Sequence, residues 1–297
     1  MAAPRETSAP RLGVVTVSYS SDDVLRGLLA SIPDAAREPV AVVVADNLPS
    51  EGDAAGIATE FGADYLPLPE NPGYGGAANA AAARLPASVE WLLVVNPDAV
   101  LGPGSIATLA ARGASDPTIG AVGPLVRNAD GTVYPSARAV PSLRTGVGHA
   151  MLGPVWPGNP WTRAYRKDSD EAPRVRDAGW LSGSCELVRR SAFDEIGGFD
   201  EGYFMYFEDV DLGVRLARAG YRNVYEPAAE VVHTGAHSTG QASERMIRAH
   251  HDSARRFLSR KYPGPVLWPV RVVLSLGLRL RSAWILLRTR GSSGEKP

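Results

Sequence analysis

The feature that most constrains this chain is a series of short, β-branched apolar runs separated by stretches with helical spacing. Residues 12–19 (LGVVTVSY), 40–47 (VAVVVADN), 64–68 and 91–98 (WLLVVNPD) read as four buried strands. Between the first two, Val24, Leu25, Leu28 and Leu29 recur at helical spacing behind an acidic first turn, Asp22-Asp23. Residues 74–85 are Ala-rich and helical, opened by a Gly-rich turn. Strands that alternate with helices need crossover connections. The expected class is therefore α/β, a mostly parallel sheet flanked by helices. Such sheets bind ligands outside the carboxyl ends of their strands, near the switch in strand order.

Downstream the pattern loosens. Residues 135–173, with aromatics at Tyr134, Trp156, Trp161 and Tyr165, read as a substrate-shaping excursion. Regular structure resumes at 179–189, followed by a helix near 209–219, strands at 222–225 and 230–233, and a helix over 243–261. Residues 265–290 are apolar but interrupted by Arg271, Arg279, Arg281 and Arg288. The longest uncharged stretch there, 272–278, is far short of the ~20 residues that span a bilayer. An amphipathic helix lying in a membrane interface, with Arg reaching to headgroups, fits that pattern.

Composition removes several classes. At 297 residues, 44% hydrophobic and 21% charged, the chain can bury a full core and is too apolar for disorder. Its 31 Gly and 24 Pro follow no period, which excludes collagen and repeat arrays. A single cysteine, Cys185, excludes an internal disulfide and a multi-cysteine zinc site, and reads as a small core residue. Residues 1–11 have no apolar core, so no signal peptide is expected, and a cytoplasmic setting follows. The net charge of −1 conceals an asymmetry. Residues 245–290 carry eleven basic side chains and one acidic one, Asp252, whereas residues 1–244 carry 19 basic and 30 acidic. A basic tail of this kind faces an anionic surface, either lipid or nucleic acid. No recognised nucleic-acid module accompanies the charge, which favours lipid.

Three acidic groups fall at predicted strand ends. Asp46-Asn47 closes the second strand, where a carboxylate can accept from a base or ribose, or simply cap a turn. Asn96-Pro97-Asp98 closes the fourth. A carboxylate plus an amide there suits Mg²⁺ or Mn²⁺ when a diphosphate supplies further oxygens, although Asn-Pro also initiates turns. Glu208, Asp209 and Asp211 open a helix after the aromatic run Tyr203-Phe204-Met205-Tyr206-Phe207. Asp211 and Arg215 share a face and can pair, and one of the first two can serve as a general base in a partly dry wall. His233 ends a strand, where a lone histidine is more often structural than a ligand. His250-His251 read as solvated or anion-facing. The turn Asn71-Pro-Gly-Tyr-Gly-Gly-Ala-Ala-Asn79 lets a backbone approach a phosphate. It is not G-x-G-x-x-G, and no glycine follows the first strand, which argues against a dinucleotide oxidoreductase. No G-x-x-x-x-G-K-[ST] occurs, which excludes a P-loop enzyme.

In order, TVSY, VVVADN, ENPGYGGAAN, VVNPD, GWLSGSCELVRRSAF, IGGFDEGYFMYFEDVDLGVRLARAGY and EVVHTGAHST resemble family 2 glycosyltransferases with the GT-A (Rossmann-like) fold. Within that family the chain is similar to rhamnosyltransferases of cell-wall arabinogalactan linker synthesis. The resemblance spans roughly residues 12–240 and implies a donor half (12–126) and an acceptor half (127–240). Around these lie disordered ends (1–11 and 291–297) and a basic helical membrane-associating segment (241–290). It implies dTDP-L-rhamnose as donor and an N-acetylglucosaminyl-diphospho-polyprenol as acceptor. Tyr19, Asp46, Asn71, Gly73, Tyr74, Asn79 and Asn96 would line the donor site. Asp98 would hold Mg²⁺ or Mn²⁺, helped by His233 because the family's Asp-x-Asp reads Asn96-Pro97-Asp98 here. Asp209 would be the catalytic base of an inverting transfer, supported by Glu208 and Asp211. Trp180, Gly183, Ser184 and Glu208 would border the acceptor. A polyprenyl acceptor gives the basic tail a reason to meet the anionic inner face of the cell membrane, with Trp268 and Trp284 suited to the interface. Self-association is left open.

Two rivals remain on the residues alone. A nucleotidyltransferase wants a Gly-rich, Lys/Arg-bearing loop after the first strand, and residues 18–22 carry none. A non-catalytic carbohydrate-binding protein predicts no loss of function on changing Asp209.

Overall fold

The computed structural model describes residues 9–141, 156, 173–235 and 244–293. Strands β1 (Leu12–Ser18), β2 (Val40–Asp46), β3 (Asp64–Pro67) and β4 (Trp91–Val95) run parallel in the order β3-β2-β1-β4. Helices α1 (Asp22–Ala36), α2 (Ala54–Glu60) and α3 (Gly73–Arg84) connect them. Every residue of β1 and β4 is buried. That is why these strands read as unbroken apolar runs, since both faces of a parallel sheet are covered. α1 lays Leu25, Leu28, Leu29 and Ile32 against one face and ends at Arg37 in the left-handed region.

The second half departs from parallel order. It comprises β5 (Ala99–Leu101), α4 (Ser105–Ala114), β6 (Ile119–Asn128), β7 (Val133–Tyr134), β8 (Ala137–Arg138), β9 (Arg176–Ala178), β10 (Trp180–Leu181) and β11 (Cys185–Arg189). α5 (Arg190–Glu195), α6 (Glu208–Arg218) and β12 (Arg222–His233) follow. β11 runs antiparallel between β4 and β6, with Cys185 opposite Val95. Its start therefore lies over the carboxyl end of β4. β12 runs parallel to β6 and antiparallel to β5, which sets His233 opposite Ala99. The ends of β1, β2, β4 and β12 and the start of β11 are thereby brought to one edge of the sheet.

The strand read over 91–98 stops at Val95, and 222–225 with 230–233 form one strand, irregular between Glu226 and Glu230. α2, β5, α4 and β6 were not anticipated. The excursion at 135–173 lies mostly outside the described residues, as do 236–243 and both tails.

Two helices close the described chain, α7 (Glu244–Lys261) and α8 (Trp268–Ser293). α7 buries Ile247, His251, Ala254 and Phe257. His251, read as solvated, is instead buried, its Nδ1 2.8 Å from the Ile247 carbonyl oxygen. Among the described residues, no helix is long and apolar enough to cross a membrane.

Candidate active site

The part of this edge around the end of β2 is built from backbone turns. Asp46 is buried and accepts from the Leu48 N–H (3.0 Å) and the Tyr65 hydroxyl (2.9 Å). Burial, followed by that bond and the charge of Asp46, pushes the Tyr65 phenol up to about 12. Asn47 donates to the Gly73 carbonyl at 3.2 Å, tying β2 to the turn that opens α3. Gly73 has φ +84°, and a Cβ there would meet the Phe204 carbonyl oxygen at 2.2 Å. Only glycine allows that approach. The Asn71 side chain accepts from the Gly73 N–H, and Tyr19 stands 51% exposed beside this turn's edge of the sheet. Asn79 is otherwise engaged. Its amide both accepts the Phe199 N–H (2.8 Å) and donates to the Phe199 carbonyl (2.9 Å), a scaffold role that leaves it little to offer a donor.

Pairing of β5 with β12 brings residues 98 and 233 together across a long sequence interval. His233 Nε2 lies 3.0 Å from Asp98 Oδ1 and 3.1 Å from Asn96 Nδ2. One carboxylate oxygen and one imidazole nitrogen 3.0 Å apart match neighbouring ligands of an octahedral ion with bonds of about 2.1 Å. No group of three or more His, Cys, Asp or Glu side chains placed to hold a metal occurs among the described residues. An ion here would thus take its remaining ligands from diphosphate and water, the habit of hard divalent cations. The donor set fits Mg²⁺ or Mn²⁺ in that form.

Beside this pair sits a cluster of three acids. Asp209 Oδ2 accepts the Gly183 N–H at 3.1 Å, and Oδ1 accepts the Val210 N–H at 2.7 Å. The Gly183 carbonyl in turn accepts the Tyr74 hydroxyl at 2.9 Å, so one peptide links α3, the start of β11 and α6. Burial pushes the Asp209 carboxyl up, opposed by its backbone bonds and the nearby charge of Arg138. Glu208 is pushed up to about 8, first by burial and then by the charge of Asp209. Glu186, 2% exposed in the middle of the sheet, is held well above the carboxylate range by burial and by Asp209 and Glu208. Oε1 of Glu186 and Oε2 of Glu208 are buried and accept no hydrogen bond. The arrangement is one carboxylate on backbone amides, able to take a proton, beside two acids that keep theirs. Sequence reasoning missed Glu186, although an acid inside the apolar strand CELVR was the available signal.

The remaining expected residues divide. Ser184 is buried with a hydroxyl that has no partner, and its carbonyl accepts the Asn96 N–H at 3.0 Å. Trp180 is only 9% exposed and donates to the Ala139 carbonyl, so its ring is chiefly wall. Asp211 pairs with Arg215 at 2.5 Å, and Arg215 also donates to the Ile196 and Gly198 carbonyls. This pair holds the turn before the base, and removing one partner of such a buried pair costs about 3–5 kcal/mol.

The loop that delivers Asp209 is strained and braced. Tyr206 and Phe207 both have φ +67°, a conformation bulky side chains rarely adopt. On one side the Tyr74 N–H donates to the Phe204 carbonyl at 3.0 Å. On the other lies α7. Ser253 donates to the Met205 carbonyl (2.8 Å), His250 packs on Tyr206 and Phe207, and Phe257 packs on Phe207. Arg256 donates to both carboxylate oxygens of Asp200, which Arg260 also pairs.

Comparison with known proteins gives the family of the chain. The chain is 47% identical over 293 residues to the N-acetylglucosaminyl-diphospho-decaprenol L-rhamnosyltransferase of Mycobacterium tuberculosis (strain H37Rv), covering 94% of this chain and 95% of that one. It is 31% identical over 254 residues to rhamnosyltransferase WbbL of Escherichia coli K12, covering 84% and 92%. Among solved structures, the mannosyltransferase PcManGT from Pyrobaculum calidifontis, in complex with GDP-Man and Mn²⁺, superposes with a TM-score of 0.57 at 18% identity, covering 99% of this chain and 78% of that one. That likeness supports the GT-A fold. The model of the family described as "Glycosyltransferase like family 2" matches residues 10–250, and the chain belongs to that family as a glycosyltransferase.

Proposed function

We propose that the chain transfers L-rhamnose from dTDP-L-rhamnose, with inversion, to the N-acetylglucosamine of a polyprenyl-diphosphate-linked acceptor at a membrane surface. The carrying observation is Asp209, fixed by the Gly183 amide beside the Asp98–His233 pair. Residues 12–126 hold the donor and 127–240 shape the acceptor site. Asp209 removes the proton of the acceptor hydroxyl as its oxygen bonds to the anomeric carbon and the bond to the diphosphate breaks on the opposite face. The proton ends on Asp209, the electron pair leaves with the nucleoside diphosphate, and no covalent enzyme intermediate forms. A divalent ion held by Asp98 and His233 would neutralise charge on the leaving diphosphate. The named activity of the mycobacterial relative supports the sugar and the acceptor.

The same reading places α8 on the anionic inner face of the membrane. Trp268, Val273 and Leu276 are exposed, and Val266 just before the helix is 87% exposed. Arg271 and Arg279 are interspersed among them, and each basic residue near such a surface contributes about 1 kcal/mol. The side chain of Trp284 lies outside the described residues.

The test incubates the full chain with Mg²⁺ or Mn²⁺, a short-chain polyprenyl-diphospho-N-acetylglucosamine and a panel of nucleotide sugars, following product mass. A gain of one deoxyhexose with dTDP-rhamnose alone is expected. Transfer from a different donor overturns the rhamnosyl reading, and no transfer from any donor overturns the acceptor.

A further inference from the structure

The site contains a cation for which the mechanism has no use. Arg138 is half-buried on β8, paired by its backbone with Trp180 of β10. Its guanidinium carbon lies 5.4 Å from the centre of the Tyr134 ring and 5.6 Å from that of Trp180. Its Nε donates to the Pro135 carbonyl at 2.7 Å. These contacts hold the head group by its Nε edge. Among the described residues no carboxylate forms an ion pair with it, whereas Arg112, Arg215 and Arg256 are each paired with an acid. Its charge nevertheless reaches Asp209.

Residues 180–185 act as a ruler across the site. Trp180 lies opposite Arg138, and the Ser182 N–H donates to the Ser136 carbonyl. The Gly183 N–H meets Asp209, and the Ser184 carbonyl accepts the Asn96 N–H. The base therefore sits between Arg138 at one end and the turn that carries Asp98 at the other. With the donor diphosphate at the Asp98–His233 end and the attacked hydroxyl at Asp209, whatever extends beyond the acceptor sugar faces Arg138.

We infer that Arg138 binds the anionic diphosphate of the acceptor, turning its Nη edge, which donates to none of the described residues, to the phosphate oxygens about one sugar ring away from the reacting hydroxyl. A planar guanidinium matches phosphate oxygens two at a time, and its aromatic flanks pre-set the plane in which it does so. The inference rests on the polyprenyl diphosphate reading above. It adds which residue reads the phosphates.

Two arms test it on the full chain. In the first, geranylgeranyl diphosphate and dTDP are each titrated into the wild type, Arg138→Gln and Arg138→Lys by calorimetry. Arg138→Gln is expected to weaken geranylgeranyl diphosphate roughly ten- to hundredfold and to leave dTDP unchanged, with Arg138→Lys between. In the second, transfer is compared between polyprenyl-diphospho-N-acetylglucosamine and octyl N-acetylglucosaminide, which has no phosphate. The variants are expected to raise KM for the first acceptor alone and to leave donor KM unchanged, while any change in kcat from the lost charge near Asp209 falls on both acceptors alike. Weaker dTDP binding assigns Arg138 to the donor and overturns the inference. So does an equal rise in KM for both acceptors, or a wild type that does not bind geranylgeranyl diphosphate. Arginine-dependent binding without rhamnosyl transfer would sink the sugar reading and leave this one standing.

Discussion

Two sets of acids share one edge of the sheet and differ in their neighbours. In the set proposed to face the donor, Asp46 is met by an amide and a phenol, and Asp98 Oδ1 by an imidazole. In the set proposed to face the acceptor, Glu186 and Glu208 each bury an oxygen that accepts no hydrogen bond, and Asp209 accepts from backbone amides. The functional group is the same, yet the proposed function has the first set hold a ligand or ion in place and the second hold or take a proton. Burial next to other acids favours the neutral form, whereas converging donors favour an oriented carboxylate. On that reading, position along one sheet edge divides binding from proton transfer.

The sharpest way to break that division is Asp209→Asn. It removes the proton acceptor, keeps the shape and should lower transfer by about 10²–10⁴-fold. Donor binding, followed by calorimetry with dTDP-rhamnose, should hold. Loss of binding together with rate would mean that the two sets are one. His233→Ala should act on the other set. The Mn²⁺ concentration for half-maximal transfer should rise by more than about tenfold, and chelation should abolish the wild-type rate. An unchanged metal titration would remove Asp98–His233 from the donor side.

Glu208→Gln gives the smallest effect, and its sign is fixed by linkage. In the fold this carboxyl titrates at about 8, above its ordinary value of 4.5. Between those values the native state binds more protons than the unfolded chain, so the contribution of Glu208 to stability is full below 4.5 and falls as pH rises. The Gln variant should therefore melt higher than wild type at pH 9 and show little difference at pH 5. Equal melting at both would mean that Glu208 is not held neutral by its surroundings.

What the sequence disclosed follows from what each signal requires. β1, β2 and β4 were legible because β1 and β4 are buried throughout, β2 is buried over its last four residues, and all three are predominantly apolar. Motif order singled out Asp98, His233 and Asp209, and the β5–β12 pairing is what brings the first two together. β6 was not legible. Gly120, Gly123 and Pro124 punctuate it, and proline in a central strand argues against one. Here β12 is irregular beside Pro124, so the missing N–H is accommodated locally. Glu186 and Arg138 were missed because a buried acid and a stacked guanidinium gain meaning only from neighbours distant in sequence.

The brace formed by α7 also bears on timing. Every acid of the candidate site precedes residue 244, but the helix that supports the strained Tyr206–Phe207 pair runs to Lys261. During synthesis the growing chain therefore holds its complete set of reactive groups well before it holds what keeps them in register. A truncation drawn at the apparent end of the catalytic motifs, near residue 240, would reproduce that immature state permanently. Competence of the catalytic loop is tied to translation of a segment that carries no catalytic group.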